Sequence, residues 1–288
     1  MTDGPNAHDG PLPVDPALVA PDATGESLLP APSTDDEIPD DPPRPRSFFT
    51  TAPKPDPWAH RRGEPRTFAA LWIILLFMAA VVSIGSAGAT GLVSIDVYRA
   101  GARIMLCIIG ASLGLIWPMV RLSQEAPDSP RRSMAQDIFV VAAPLQAMTW
   151  PQCLPWMAAY PIPPIAALSA NFLAWTILIA GLLALLLERA KRDPATSRAA
   201  LMAIIAAICF AGPAIGLLTR HPTLTPESRV DLWQLSSPVT APWEIVRDRT
   251  WTGYAAAAAS EHWFAAAIIG TVAGFVWVFV LASSRREA

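Results

Sequence analysis

The chain has 288 residues, 52% of them apolar, with a mean hydropathy of +0.36 and a formal net charge of −3. Such apolarity is high for a chain that must keep a polar surface, and the lack of a strongly basic face excludes nucleic acid as a partner. Cys107, Cys153 and Cys209 lie far apart with no C-x-x-C spacing, which excludes a disulfide framework or a zinc site and leaves them as small apolar residues inside helices.

Residues 1–66 are predicted to form a disordered, acidic, proline-rich cytoplasmic tail. Residues 1–57 hold eleven Asp/Glu against three Lys/Arg, and fourteen of the thirty prolines. Proline fixes φ and removes a backbone donor. Low hydrophobicity with net negative charge leaves too little area to bury. Pro42-Pro43-Arg44-Pro45 reads first as solvated linker and second as a polyproline II ligand. The opening Met-Thr-Asp-Gly-Pro-Asn has neither a basic start nor an apolar run, so the first apolar run, from Phe68, is expected to act as an uncleaved signal anchor.

Residues 67–288 are predicted to be an all-α, polytopic membrane helix bundle. A spanning helix needs about twenty apolar residues. The runs that meet this need are Phe68–Gly88, Gly101–Val120 (with Arg103 able to snorkel), Ile165–Leu187, Ala199–Thr219 and Trp263–Ala282. A further candidate, Met134–Trp156, carries Asp137, Pro144, Gln146, Pro151, Gln152 and Pro155. It reads as a kinked span or a re-entrant hairpin, because broken helices persist at membrane depth only under protein cover or beside water.

Charge favours a sixth span. With six crossings and both termini inside, thirteen Lys/Arg flank the inner side and six the outer. With five, the basic stretch Arg189–Arg198 would face outward, against the positive-inside bias. Trp58, Trp117, Trp150, Trp156, Trp243, Trp251, Trp263 and Trp277 fall near the predicted boundaries, where amphipathic rings prefer the interface. Small residues mark candidate helix packing: Gly110 and Gly114 in the second span, Ala203, Ala207 and Ala211 in the fifth, Gly270 and Gly274 in the sixth. Such spacing lets helices approach within one chain or across a homodimer.

No chemistry of bond-making is legible. His8, His60, His221 and His262 lack metal spacing, and no G-x-x-x-x-G-K-[ST] is present. Ser112 and His262 together suggest an intramembrane serine protease, but the two stand at different depths and a dyad needs contact. A non-enzyme without cofactor or metal is expected. No ionisable residue occupies the central half of a predicted span, which argues against an ion-coupled pump. The candidate polar pathway is therefore Pro144, Gln146 and Thr149. Pro144 frees a backbone carbonyl, and Gln146 and Thr149 share a helix face. The alternative is that Gln146 bonds a neighbouring helix. The loop at about 220–262 is expected outside, with one or two short helices lying in the interface: Thr225-Pro226-Glu227 is a helix start, and apolar and charged residues alternate over Trp243–Trp251.

Six spans, the basic stretch from His60 through Arg61, Arg62 and Arg66 into Phe68, and Leu235-Ser236-Ser237-Pro238 after the fifth span resemble the permease half of ABC-2-type exporters. The layout matches over residues 60–286, but the acidic tail and proline-rich third span depart from it. The resemblance implies a permease-like subunit without its own ATPase and a separate ATPase partner; it supplies no catalytic residue. The alternative is a non-transport scaffold or accessory subunit whose tail recruits a partner. Arginine outnumbers lysine nineteen to two, a usage of GC-rich genomes that points to a bacterial inner membrane. Nothing in the sequence names a substrate or an oligomeric state.

Overall fold

A computed structural model describes residues 65–88, 94–124, 126–192, 198–218, 230–249 and 255–284. The tail, but for its last two residues, and the helix start at Thr225-Pro226-Glu227 lie outside them. Helix α1 (Pro65–Gly88) opens on proline, which needs no donor in a first turn. Helix α2 (Ile95–Ala111) is capped by Ser94, whose Oγ accepts from the Val97 N–H at 3.3 Å. It continues through a π-helical turn, Ser112–Ile116, into α3 (Trp117–Ser123). Pro118 explains the π turn. In a regular helix its ring would collide with the Gly114 carbonyl, four residues back, and the widened turn relieves this. The freed Gly114 oxygen lies 3.6 Å from the Cys209 thiol.

Helix α4 (Pro130–Thr149) ends in a short 3₁₀ turn, Trp150–Cys153, where Pro151 begins a proline-rich exit. Helix α5 (Ile162–Arg192) is followed by α6 (Arg198–Leu218). Two short helices come next, α7 (Leu232–Leu235) and α8 (Ala241–Ile245), then an antiparallel pair, β1 (Asp248–Arg249) with β2 (Ala255–Ala256), and α9 (Ser260–Ser284).

The chain is an all-α membrane helix bundle. Among the described residues five helices are long and apolar enough to cross a bilayer: Thr67–Gly85, Ile95–Ser123, Ile162–Ala190, Arg198–Leu218 and Ser260–Ser283. Each matches a predicted run. The expected sixth, Met134–Trp156, is not among them, because Arg131, Arg132 and Asp137 dilute α4 at one end and the helix stops at Thr149. Pro144 does not break it, so the helix is continuous and not a re-entrant hairpin. Helix α4 nevertheless runs antiparallel along α5: Arg131 lies 3.6 Å from Glu188 near one end, and Gln146 bonds Ser169 towards the other. Its polar side is covered by protein, with Asp137 and Thr149 fully buried, while Phe139 is 77% exposed.

Helix α5 is the hub, packed by α4, α9, α3, α6 and α8. Two thirds of its most apolar stretch (67%) is buried, against 22–28% for α1, α6 and α9, which expose Phe77, Leu217 and Phe275 outward as lipid-facing surface requires. The bundle has two distinguishable ends. The basal end holds the start of α1, where Arg121 stacks on Phe68, and the end of α9, where Phe279 and Ser283 adjoin Glu188 and Arg189. Both ends of the described chain are therefore basal. The opposite end carries α7, α8 and the β pair, and is termed the hairpin end.

Candidate functional site

The segment from Asp231 to Ile245 does not lie flat in the interface, as its alternating pattern suggests. It forms a helical hairpin whose tip enters the bundle between α2 and α6. Four glycines make the space. A Cβ on Gly110 would stand 1.9 Å from the Pro238 carbonyl oxygen, and one on Gly114 3.2 Å from the Pro238 ring. A Cβ on Gly212 would stand 1.7 Å from Ser236 Oγ and 2.7 Å from the Trp233 carbonyl oxygen, and one on Gly216 3.1 Å from Trp233 Cβ. Gly110 is one residue past the midpoint of the 29-residue span Ile95–Ser123, so the tip reaches mid-depth. Gly110 and Gly114, expected as helix-packing positions, thus admit a loop, with Cys209 of α6 also against Gly114.

Local chemistry sets the hairpin. Asp231 caps α7, accepting from the Trp233 and Gln234 N–H groups at 3.0 and 3.4 Å. In the turn, Ser236 Oγ donates to the Trp233 carbonyl, Thr240 Oγ1 donates to the Gln234 carbonyl, and Ser237 Oγ accepts from the Val239 N–H. Pro242 starts α8 without a donor to lose. These bonds satisfy polar backbone that membrane depth would otherwise penalise.

A charged network anchors the hairpin's base. Glu244, Arg249 and His262 are all fully buried. The Glu244 carboxylate accepts from Arg249 Nη2 at 2.9 Å, from the Asp231 N–H at 3.1 Å and from Arg247 Nη1 at 3.4 Å. Arg249 Nη2 also donates to the Glu244 carbonyl and lies 3.4 Å from His262 Nε2. His262 Nδ1 accepts from the Ala259 N–H at 3.2 Å. Beside this, Arg103 bonds Asp248 and lies over the Trp243 ring. Arg99 holds the Ala158 and Ala159 carbonyls, and Arg103 Nε donates to Tyr160 Oη at 3.3 Å. Burial pushes the Tyr160 phenol up, against the pull of Arg103 and Arg99, so it stays protonated and donates to the Arg99 carbonyl at 3.2 Å. The network joins α2, the α4–α5 connection, α8, β1 and α9.

The basal end has its own buried pair, Arg121 with Asp137, tying α3 to α4. There Arg198 Nη1 donates to the Leu122, Ser123 and Gln124 carbonyls, closing the α3 C-terminus.

The predicted pathway residues sit elsewhere. Gln146 Nε2 donates to the Ser169 carbonyl at 3.2 Å, and Gln146 Oε1 accepts from Ser169 Oγ and from Trp150 Nε1. Thr149 is fully buried and donates to its own Leu145 carbonyl at 2.9 Å. Pro144 is half-buried, and Trp72 of α1 donates to the nearby Val141 carbonyl at 3.2 Å. On α9, Gly270 meets Ala174 of α5 at ordinary contact distance (3.9 Å) and Gly274 has nothing within 4 Å. Ser112 and His262 are not joined: Ser112 Oγ donates to the Ile108 carbonyl at 2.7 Å. Sequence reasoning missed Glu244, Asp248, Arg249 and His262 as a cluster. The available signal was opposite charge at close spacing within a segment rich in tryptophan and proline. Compared with protein-family models, with curated proteins and with solved structures, the chain matches none.

Proposed function

We propose that this protein is a permease-like membrane subunit that moves an apolar or amphipathic substrate and relies on a separate ATPase. The observation that carries the reading is the hairpin α7–α8, which places non-helical backbone at mid-depth between α2 and α6. Broken elements at that depth are a device of transporters, where they line a route that rigid helices cannot form. The tip, Leu235-Ser236-Ser237-Pro238, is also the stretch that resembles ABC-2-type permeases. A lipid-like substrate suits the apolar groove of about 320 Å³ between α1 and the π turn with α3, lined by Phe68, Trp72, Met78, Ile116 and Trp117. The arginines of the basal end, Arg121, Arg131, Arg189 and Arg198, support a cytoplasmic basal end and an external hairpin end through the positive-inside bias, and arginine-rich usage supports a bacterial inner membrane.

A second reading, a non-transport scaffold, is favoured by one feature. Gly274 lies open on a helix that exposes Phe275 and Phe279, a face on which a second copy or another subunit could pack. Thiol labelling separates the readings. In a chain lacking Cys107, Cys153 and Cys209, cysteine at Val239 or Thr240, both half-buried in the turn, is expected to react with a membrane-impermeant thiosulfonate in intact cells. Complete protection of both would mean a sealed hairpin and would leave the scaffold reading.

A further inference from the structure

The hub helix carries polar groups that the fold does not use. Asn171 is fully buried, and neither its Oδ1 nor its Nδ2 has a hydrogen-bond partner among the described residues. One turn on, Trp175 is 3% exposed and its Nε1 is likewise unpartnered. At about 100° per residue, positions four apart lie within about 40° of each other, so both side chains share one face of α5. That face is turned away from Ser169, which meets α4, and is offset from Ala174 and Ile177, which meet α9. The remaining neighbours of α5 include α8 and the π-helical turn of α2.

Depth agrees with this. Helices α2 and α5 run in the same direction, and Arg103, midway along α2, bonds Tyr160, just before α5 begins. Eleven residues beyond Tyr160 is Asn171, and eleven beyond Arg103 is Gly114, which receives the Pro238 ring. Asn171 therefore stands at the level of the hairpin tip. Burying an amide and an indole N–H without partners is unfavourable, and two such groups one turn apart, beside the one broken element in the described bundle, are not explained by packing.

We infer that Asn171 and Trp175 form a membrane-depth binding site for the uncharged polar group of an amphiphile, a hydroxyl or carbonyl on an apolar chain. The indole N–H donates, and the amide both donates and accepts. A hydroxyl satisfies the amide's two functions, and a carbonyl accepts from both donors. No charged side chain is needed at this level, so a charged headgroup is disfavoured. This deepens the transport reading by naming its substrate class.

The test uses the full chain in detergent micelles, with 1-dodecanol as probe and dodecane as its apolar control. Dodecanol at saturating concentration is expected to raise the unfolding temperature by about 2–4 °C, and dodecane to leave it unchanged. Asn171→Leu should unfold at the wild-type temperature or above, having lost no protein partner, and should abolish the dodecanol shift. Trp175→Phe, which removes the N–H and little volume, should diminish it. The proposal is overturned if Asn171→Leu unfolds several degrees below wild type, which would give Asn171 a structural role. Equal response to both probes, or a shift retained in both variants, overturns it too. Failure of Asn171→Leu to fold overturns it in the same way, and Trp175→Phe tests the indole donor independently. Binding is read apart from flux: a dodecanol shift in a protein whose hairpin never labels would sink the transport reading and leave this site standing.

Discussion

Helix α4 and the hairpin α7–α8 are made from the same ingredients and meet opposite fates. Each is a proline-bearing, partly polar segment next to apolar helices. Helix α4 stays helical through Pro144 and hands Gln146 to Ser169 on α5. The hairpin breaks at Ser236–Thr240 and carries the break to mid-depth. The difference lies in the neighbours. Beside α4 stands Ser169, whose hydroxyl donates and whose main-chain carbonyl accepts; beside the hairpin stand Gly110, Gly114, Gly212 and Gly216, which offer room. Proline announces a local conflict, and the residues opposite decide whether the chain bends or breaks.

If the buried network holds the hairpin's base, removing its acceptor is expected to have the largest effect on stability. Glu244→Ala strips partners from Arg249, Arg247 and the Asp231 N–H at once. Removing the carboxylate that faces the buried Arg249 is expected to cost about 3–5 kcal/mol. Thermal unfolding in micelles checks this, and Arg249→Met combined with Glu244→Leu should recover much of the loss, since two apolar groups leave no orphan charge. A drop below about 1 kcal/mol for Glu244→Ala would show that the base is held by apolar packing instead.

The glycine cradle gives the next contrast. Gly110→Ala forces a methyl against the Pro238 carbonyl, which is backbone and cannot rotate away. Overpacking of this kind is expected to destabilise by about 1–3 kcal/mol, or to expel the hairpin so that cysteine at Ser237 becomes reactive. Gly274→Ala meets open space and should instead add about 0.5–1 kcal/mol of helix stability. Equal responses at the two glycines would remove the distinction between a cradle and an outward face.

How much of this was legible follows from where the determinants lie. The five apolar spans are local: backbone in hydrocarbon must satisfy itself within the helix, so a run such as Phe68–Gly88 identifies Thr67–Gly85 almost residue for residue. The hairpin is not local. Its depth rests on Gly110, more than a hundred residues upstream, and that glycine's spacing to Gly114 fits helix–helix packing equally well. The Glu244–Arg249–His262 cluster was hidden for a related reason. Charges in a loop read as solvated, and burial becomes tolerable only through mutual contacts the sequence does not display. Asn171 was visible as a polar residue in an apolar run, but its lack of partners is a property of the assembled bundle.

The smallest expected effect bears most directly on α4. Gln146 reads from the sequence as a pathway residue, whereas in the folded bundle both ends of its amide are occupied by Ser169, with Trp150 adding a third bond. Interhelical polar contacts of this kind average about 0.6 kcal/mol and reach about 1.7. Gln146→Leu and Ser169→Ala are each expected to lower stability within that range. The double variant should fall short of the sum by about 0.5–1 kcal/mol, since both singles remove the same contact. Cysteine at position 146 should also resist a water-soluble thiol reagent that labels Val239→Cys. Additive stabilities together with rapid labelling at 146 would reverse the comparison. The hairpin would then be the fixed element, and the wet face would belong to α4.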